Sequence, residues 1–428
     1  MRILLTGASG FIGAALADAL AARGHALTLA VRDPVAATRR LPGHAAIAVD
    51  FARDLDIADW RGRVLGMDVV VNAVGIFREH RGQSFEAIHV RAPGALFAAC
   101  AEAGVRRVVQ LSALGADAGA ASAYHRGKRA ADALLAASGL EAVSVRPSLV
   151  FAPDGASASW FLALASLPVL PLPDGGGQCL QPIHRDDLVA ALVALVERGA
   201  HAPVVDAVGP APTTLRDYLA TLRRALGLGS AWRPRLPRWI ARMTASAAGR
   251  LPGSLLDADS LAMLERGNCA PADGITRVLG RAPRSPAAFI APADASRLRR
   301  AAQLRWLLPM LRGSVALTWI VTGVVSLWVF PREDSLALLG RTGLEDAAAV
   351  AALHGAAWLD IALGVATLLL GHRRALYALQ GLVIFGYTAI ITVALPEYWA
   401  HPYGPVLKNL PLLAALWLLH ALDGGERR

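Results

Sequence analysis

The N-terminal half of the chain takes its fold from residues 2–13, with the sequence RILLTGASGFIG. The apolar run at 2–6 has the length of a buried parallel strand, and a helical pattern begins at Phe11. The glycines between them allow a tight turn, close approach of the backbone to a diphosphate, and close packing of helix against strand. The N–H groups at the helix N-terminus favour an anion there. The segment therefore predicts a strand, a phosphate-binding turn and a helix.

Strand-like and helix-like runs alternate after this segment. Apolar runs of strand length lie at 27–31, 45–49, 68–73, 107–111 and 142–145, with helical stretches at 84–103 and 121–137 among them. This alternation predicts βαβ units and an α/β fold, a doubly wound parallel sheet of Rossmann type. We expect a Rossmann domain at 1–151. The segment 152–295 is richer in Pro and Gly and is interpreted as a small substrate lobe with a linker, which we also expect to complete the sheet.

The C-terminal part has a different character. Four long apolar runs occupy residues 313–330, 347–370, 375–396 and 403–422, each close to the ~20 residues that cross a bilayer. A soluble bundle would need polar faces that these runs lack. Residues 296–428 are therefore predicted to form an all-α, four-helix transmembrane domain.

The charges that flank these runs predict a topology. Arginines precede the first run, occupy the second loop and end the chain, at positions Arg297, Arg299, Arg300, Arg305, Arg312, Arg373, Arg374, Arg427 and Arg428. The positive-inside rule then places both termini and the nucleotide-binding part in the cytoplasm. The net charge of +10 has no aromatic-interleaved basic stripe behind it, which argues against a nucleic-acid partner.

Two charged residues lie inside the apolar runs. Asp360 falls in the second run and Lys408 in the fourth. Charged side chains at such depth are usually paired or functional, so we expect these two to form an ion pair. The alternative is that Lys408 extends to the membrane interface and Asp360 faces a polar seam.

The cysteines are few and widely separated. Cys100, Cys179 and Cys269 form no CxxC pair. The spacing predicts neither a metal site nor a disulfide framework, and it fits a reducing compartment.

Residues at the strand ends are candidates for cofactor binding. An acid at the end of the second strand would hold a ribose 2′-hydroxyl, but Val31 stands there and Arg32 follows, which can pair with a 2′-phosphate. NADP(H) is therefore expected in preference to NAD(H), with a solvated surface Arg32 as the alternative. Asp50 is placed to contact the adenine. The candidates derived from the turn and the strand ends are Gly7, Ser9, Gly10, Phe11, Ile12, Gly13, Arg32, Asp50, Asn72, Ala73, Val74 and Gly75.

A pair on the helical stretch 121–137 is the candidate for proton transfer. Tyr124 and Lys128 are four residues apart and share a helix face, where the ammonium is expected to lower the phenol pKa. Lysine is rare in this chain, because 41 of its 43 basic residues are arginines. Lys128 therefore marks a site where the larger planar guanidinium does not serve. Ser112 follows the fifth strand and is expected to bond the substrate oxygen.

The motifs together resemble the short-chain dehydrogenase/reductase superfamily, in its extended or atypical branch. The resemblance rests on GxxGxxG, Asp50, Asn72-Ala73-Val74-Gly75, Ser112, Tyr124-x-x-x-Lys128, Arg146-Pro147-Ser148 and residues 182–187, PIHRDD. Within this superfamily, the chain is similar to the NAD-dependent epimerase/dehydratase group and to the nucleotide-binding accessory subunit of respiratory complex I. The C-terminal quarter resembles a DoxX-like membrane domain, including 401–405, HPYGP, and 408–411, KNLP.

The resemblance implies a function and assigns roles. It implies catalysis by Ser112, Tyr124 and Lys128, and adds Tyr124, Lys128 and Pro147 to the cofactor-binding set. His89 stands near where many family members carry Asn, which weakens a proton relay through it, and His184 is expected to be structural. We expect an NAD(P)-dependent oxidoreductase that acts at a carbonyl or alcohol of a hydrophobic or lipid-like substrate.

Two other functions remain open from the sequence. A non-catalytic nucleotide-binding subunit with a protein partner in the membrane is the main alternative. A transporter would need a polar path through the membrane, for which Asp360 and Lys408 are the obvious candidates.

Overall fold

A computed structural model describes residues 1–80, 82–237, 239–240, 243, 258–371 and 373–423. The chain divides into two compact units, Met1–Ala302 and Gln303–Arg428, which are taken separately below. The predicted division of the first unit at 151/152 stays a prediction. Arg427 and Arg428, which enter the topology prediction, lie outside the described residues.

The strands all belong to the first unit. In chain order they are β1 (Arg2–Thr6), β2 (Ala26–Val31), β3 (Ala45–Ala48), β4 (Val69–Asn72), β5 (Arg107–Leu111), β6 (Glu141–Pro147), β7 (Val150–Phe151), β8 (Leu172–Pro173), β9 (Cys179–Leu180), β10 (Ile183–His184), β11 (Val204–Ala207), β12 (Thr213–Thr214) and β13 (Arg235–Leu236). Seven of them form one parallel sheet in the order β11-β6-β5-β4-β1-β2-β3. The short strands pair as β10 with β7, β12 with β9 and β13 with β8. The predicted Rossmann-type α/β sheet is confirmed, and β11, from the segment 152–295 that was expected to complete it, joins this sheet as an edge strand.

Helices connect the strands on both faces of the sheet. They are α1 (Phe11–Ala22), α2 (Pro34–Arg40), α3 (Ile57–Val64), α4 (Ala92–Glu102), α5 (Ala123–Ala136), α6 (Ala156–Ser166), α7 (Arg185–Arg198), α8 (Leu215–Ala225), α9 (Ala258–Arg266) and α10 (Asp273–Leu279). A π-turn at Glu86–Arg91 precedes α4, and 3-10 turns lie at Asp174–Gly176 and Pro286–Ala288. Helix α11 (Pro292–Val324) begins near the end of this unit.

The alternating side chains of each central strand point into two different cores. Ile3 and Leu5 of β1 pack with Leu16 and Leu20 of α1 on one face. Leu4 packs on the other face in a core with residues of α3 and α4, including Trp60 and Leu96. Each such fully buried large side chain contributes roughly 1.5–3 kcal/mol. Because both faces are covered, the strands read as continuous apolar runs.

A third core belongs to the segment after the sheet. In it Phe151 stacks on Phe289 and Phe161 meets Tyr218 edge-on, and apolar residues of α6 and α8 surround both pairs. This core gives the predicted small lobe its own apolar centre.

The prediction that the cysteines form no disulfide is wrong. Cys179 and Cys269 form a disulfide, with Cα atoms 6.2 Å apart although the residues are 90 positions apart in sequence. The backbone N–H of Asn268 donates to the carbonyl of Cys179 at 2.8 Å, and this contact brings the next residue, Cys269, alongside. A tertiary contact of this kind leaves no signature in cysteine spacing. Cys100 is a free, buried thiol, and burial raises its pKa to about 12.

The second unit is helical throughout its described residues. Its elements are the C-terminal part of α11, a π-turn (Val325–Val329), α12 (Arg332–Arg341), α13 (Asp346–Leu369), α14 (Arg374–Ala394), a 3-10 turn (Pro396–Trp399) and α15 (Asn409–Leu422). Within the described residues, three helices are long and apolar enough to cross a membrane: Pro292–Val329, Asp346–Leu369 and Arg374–Ala394.

Glycines bring the first two of these helices together. A Cβ on Gly364 would lie 2.8 Å from the carbonyl oxygen of Ala316, and one on Gly323 would lie 2.5 Å from that of Ala357. Small residues allow such backbone approach and are typical of packing inside membranes.

Two expectations about this unit are corrected. The fourth predicted span begins at 403, but α15 has only 14 residues from Asn409, about 21 Å of helix against a hydrocarbon thickness of about 30 Å. The expected ion pair is also wrong: the Tyr387 hydroxyl donates to Asp360 at 3.4 Å, while Lys408 is exposed at the N-terminus of α15. Tyr387 supplies a neutral partner on the neighbouring helix, which sequence spacing did not indicate.

Candidate active site at the switch point of the sheet

The turn after β1 lies where the strand order reverses, between β1 and its neighbour β4. Gly7 has φ +70°, and a Cβ there would lie 2.7 Å from the carbonyl oxygen of Ala73. A Cβ on Gly13 would lie 2.1 Å from the carbonyl oxygen of Gly7. Only glycine fits at both positions, because any side chain would collide with backbone. The crevice at such a switch point is the usual ligand site of open α/β sheets.

The N-terminus of α1 is free to bind an anion. Gly10 is its N-cap, and no side chain caps the helix or places an acid in the first turn. Orphan N–H groups and the helix dipole therefore point into the crevice without a competing carboxylate, within this described segment. The turn fits a diphosphate.

The crevice continues across the ends of β2 and β4. Arg32 is exposed there and, among the described residues, has no ion-pair partner. Asp50 lines the same crevice and accepts a hydrogen bond from the Ala52 N–H at 3.0 Å. The predicted residues that line it are Gly7, Ser9, Gly10, Arg32, Asp50, Ala73, Val74 and Gly75.

Asn72 is a predicted cofactor residue that the structure places elsewhere. It is fully buried, accepts from the Thr6 hydroxyl at 2.6 Å and the Val74 N–H at 3.2 Å, and donates to Gln110 at 2.8 Å. These bonds hold the end of β4 against both neighbouring strands. Asn72 therefore shapes the loop that lines the crevice and does not itself reach it.

Three other predicted cofactor residues do not line the crevice. Ile12 packs into the core of the sheet, and Pro147 ends β6. Phe11 begins α1 with its ring partly exposed, and the guanidinium carbon of Arg185 lies 5.1 Å from the ring centroid. This contact is a cation–π interaction at the rim of the phosphate turn.

Helix α5 positions Tyr124 and Lys128. Its N-cap is Ser122, whose hydroxyl accepts from the backbone N–H of His125 at 3.2 Å. This cap fixes where the helix starts and turns Tyr124, in its first turn, toward an opening that Phe77 and Phe85 also line. Burial raises the pKa of Tyr124 to about 12.

Lys128 lies one turn further along the same face, 4% exposed. Its Nζ donates to the carbonyl oxygens of Leu111 at 3.0 Å and Val74 at 3.3 Å. A Cβ on Gly75, a residue of the crevice, would lie 3.0 Å from that nitrogen, so the ammonium borders the cofactor groove. Burial lowers the pKa of Lys128 to about 8. The expected lowering of the Tyr124 pKa is not found in this state, because desolvation of the phenol dominates.

Ser112 does not present its hydroxyl as predicted. It is 3% exposed, and its Oγ donates to Oδ2 of Asp132 at 2.9 Å, an oxygen that also accepts from Nε of Arg146 at 2.9 Å. Asp132 lies one turn after Lys128 on α5 and draws the hydroxyl into the protein. Ser122 lines the opening beside Tyr124 instead, and the sequence analysis did not select it.

Comparison with known proteins supports a nucleotide-binding assignment for the N-terminal part of the chain. Residues 7–168 match the NAD(P)H-binding family, and residues 316–417 match the DoxX-like family. The chain is 30% identical over 278 residues to 3-diazoavenalumate denitrifying reductase from Streptomyces sp, covering 56% of this chain and 88% of that protein. The chain belongs to the NAD(P)H-binding family.

Other relatives are matched over shorter parts. Ceramide reductase of Caulobacter vibrioides is 30% identical over 203 residues, 45% of this chain and 60% of that protein. NADH dehydrogenase [ubiquinone] 1 alpha subcomplex subunit 9 of Arabidopsis thaliana is 31% identical over 196 residues, which cover 45% of this chain and 49% of that protein. A longer Mycobacterium tuberculosis protein is matched over 24% of its length. The chain thus spans 24% to 60% of the length of these three relatives.

A solved structure supports the fold. The nucleoside-diphosphate-sugar epimerase from Staphylococcus aureus superposes with a TM-score of 0.55 at 18% identity, covering 68% of this chain and 99% of that one. This likeness agrees with the predicted epimerase/dehydratase-type fold. The DoxX-like match agrees with the predicted membrane domain.

For an NAD(P)H-binding protein, His89 occupies a notable place. It lies in the π-turn, 1% exposed, and its Nε2 accepts from the Ile76 N–H at 3.0 Å. Burial and the neighbouring Lys128 ammonium lower its pKa to about 3, so the ring is neutral. His89 therefore supports the loop beside the crevice in the neutral form. A π-turn is often found at functional sites, but its one extra residue has no clear sequence signature.

His184 is structural, as predicted. Its Nδ1 accepts from the backbone N–H of Asp186 at 3.2 Å and caps α7, while its ring lies against Phe151 and Phe289.

Proposed function

We propose that the protein is a membrane-anchored, NADPH-dependent oxidoreductase that acts at a carbonyl or alcohol carbon. The observation that carries this is the shared face of α5, which brings Tyr124 to an opening and Lys128 to the cofactor crevice. A binding module needs a phosphate turn but no buried ammonium one helical turn from a phenol.

Arg32 supports NADPH in preference to NADH. The end of β2 offers no carboxylate for a ribose 2′-hydroxyl, and the exposed guanidinium can form bidentate bonds to a 2′-phosphate. The turn at Gly7–Gly13 would hold the diphosphate through backbone N–H groups. A nicotinamide cofactor, when bound, supplies or accepts the hydride.

Tyr124 then handles the proton. In reduction, its hydroxyl donates to the substrate oxygen and leaves a phenolate, which needs stabilisation since burial disfavours it. The Lys128 ammonium provides this stabilisation and is held in place by the carbonyls of Leu111 and Val74. Arginine cannot replace it, because a planar fork would not fit between Gly75 and those carbonyls.

The membrane unit suggests where the substrate comes from. Tethering to a bilayer favours a hydrophobic or lipid-like substrate, and one relative is a ceramide reductase. We propose that the nucleotide domain faces the cytoplasm, because arginines flank the spans on that side. The Cys179–Cys269 disulfide is an opposing observation, since disulfides are rare in the cytosol except in redox-sensing or catalytic roles.

A non-catalytic nucleotide-binding subunit is the second candidate. The engagement of Ser112 with Asp132 favours it, since the expected third catalytic group is missing from the opening. The similarity to a complex I subunit agrees with it.

The two candidates differ in what Tyr124→Phe does. If the protein is an enzyme, this variant keeps its NADPH affinity and loses turnover, because only the proton-transferring hydroxyl is gone. Without a known substrate, the measurement is complementation of a deletion strain, with lipid profiling, alongside NADPH titration of the purified full chain. Full complementation by both Tyr124→Phe and Lys128→Arg would establish the subunit and exclude the enzyme.

A further inference from the structure

The opening beside Tyr124 has aromatic walls. The ring centroids of Phe77 and Phe85 lie 5.3 Å and 6.3 Å from that of Tyr124, both in tilted or edge-on arrangements. The Phe85 ring also stacks on His89 at 5.3 Å. We call this opening the aromatic slot; its lining includes Phe77, Phe85, Ser122, Tyr124 and Met263, together with the charged residues Arg78 and Glu79.

The loop that carries the two phenylalanines is held in shape. His80 and Gln83 exchange two backbone hydrogen bonds of 3.1 Å and 2.9 Å, so the chain folds back between the two rings. Glu79 accepts from the backbone N–H of Phe85 at 2.7 Å. These hydrogen bonds hold the loop so that Phe77 and Phe85 both lie next to the phenol ring of Tyr124.

Phe77 is not explained by packing. Its side chain is 47% exposed, whereas the aromatic side chains of the sheet cores, such as Trp60 and Phe97, are almost fully buried. Ligand pockets are lined mainly by apolar and aromatic side chains, and Phe77 supplies such a surface at the mouth of this opening. Met263 of α9 lines the same opening, and its flexible thioether adapts to ring edges.

We propose that the aromatic slot selects substrates with a flat aromatic ring conjugated to, or next to, the reacting carbonyl. This rests on the proposed function for the role of Tyr124, and it narrows the hydrophobic substrate class to aromatic compounds in place of lipid-like alkyl chains. Aromatic rings prefer edge-to-face or offset contacts with ring centroids 4.5–7 Å apart, which is the spacing already present among Phe77, Phe85 and Tyr124. A flexible alkyl chain would gain the apolar contact but not the ring-to-ring attraction.

The test uses two ketones of equal carbon number. Benzylideneacetone and trans-3-decen-2-one are both methyl enones, and they differ in a flat ring against an alkyl chain. Their dissociation constants are measured by calorimetry on the detergent-solubilised full chain with NADP⁺ present, so that no reduction occurs. Phe77→Leu keeps an apolar side chain and removes the ring. Trp232→Leu, at an aromatic side chain 71% exposed and outside the slot, is the matched control.

The expected result is specific to one ligand and one variant. Phe77→Leu weakens benzylideneacetone by about 2–12-fold, the worth of an aromatic pair beyond its area, and leaves trans-3-decen-2-one unchanged. Trp232→Leu changes neither. Comparing each ligand between variants cancels its partition into detergent, and an unchanged thermal transition shows that Phe77→Leu is folded.

The inference is overturned if both ketones lose affinity equally in Phe77→Leu, or if wild type binds neither. It fails separately from the proposed function. If the protein prefers the ring-containing ketone but Tyr124→Phe complements fully, the aromatic selectivity of the slot stands and the proposed enzyme activity is contradicted. If Tyr124→Phe fails to complement but neither ketone is preferred, the proposed enzyme activity stands and the aromatic selectivity is contradicted.

Discussion

The burial of Lys128 predicts a measurable stability cost. Burial lowers its pKa from 10.5 to about 8 in the folded protein. At about 1.4 kcal/mol per pKa unit, the folded state loses about 3 kcal/mol relative to an exposed lysine. Because the folded pKa of this cation is depressed, the cost is fully present below pH 8. It falls as pH rises and is gone above about 10.5.

Lys128→Met removes the titration. The stability of wild type relative to this variant should rise by about 3 kcal/mol between pH 8 and 10.5, on the order of 5 °C in melting temperature. His89, with a pKa of about 3, and Tyr124, with one of about 12, stay neutral in this window. Lys128→Leu is the control, since it also removes the titrating group without adding volume, and its pH slope should match that of Lys128→Met.

The assay follows thermal unfolding of the detergent-solubilised full chain from pH 7 to 10.5. The transition of the nucleotide-binding unit is identified by its shift on adding NADPH. If the difference in melting temperature between wild type and Lys128→Met stays constant across this range, the claim that the Lys128 ammonium is desolvated is refuted. The predicted pH slope would instead show that the chain keeps a costly group at this site, as catalytic residues often require.

Two further predictions concern the cofactor and the membrane. Arg32→Glu should weaken the binding of NADPH by about 1.5–3 kcal/mol, the contribution of a charge-assisted hydrogen bond, and leave the affinity for NADH nearly unchanged. Titration of both cofactors checks this. A wild-type protein that prefers NADH would contradict it. A reporter fused after Arg374 should read as cytoplasmic and one after Asp346 as outside, because arginines dominate the loop at 371–374 and acids balance them in the loop before α13. If the reporter fused after Arg374 reads as outside, the topology is the reverse of the one predicted. The Cys179–Cys269 disulfide would then lie in an oxidising compartment.

Local sequence determined the elements of the nucleotide-binding unit and the turn between the first two. Apolar runs of strand length and helical periodicity are local, so β1, α1 and β5 were predicted with their observed bounds. The turn at Gly7–Gly13 was also readable, because Gly10 and Gly13 approach the backbone of Gly7 inside a segment of a few residues, although Gly7 itself approaches Ala73 from the far end of β4. The four-residue spacing placed Tyr124 and Lys128 on one face for the same reason.

Tertiary structure alone decided which groups surround that face. Asp132 turns Ser112 away, burial sets the pKa values of Tyr124 and Lys128, and Phe77 reaches the opening from a loop between β4 and α4. The disulfide likewise depends on two segments that meet only in the folded chain. Desolvation and hydrogen-bond competition depend on all atoms within a few ångströms, and those atoms come from positions far apart in the sequence. Local pattern therefore determined the scaffold and the candidate pair, whereas the polarity and shape of the pocket around them followed only from packing.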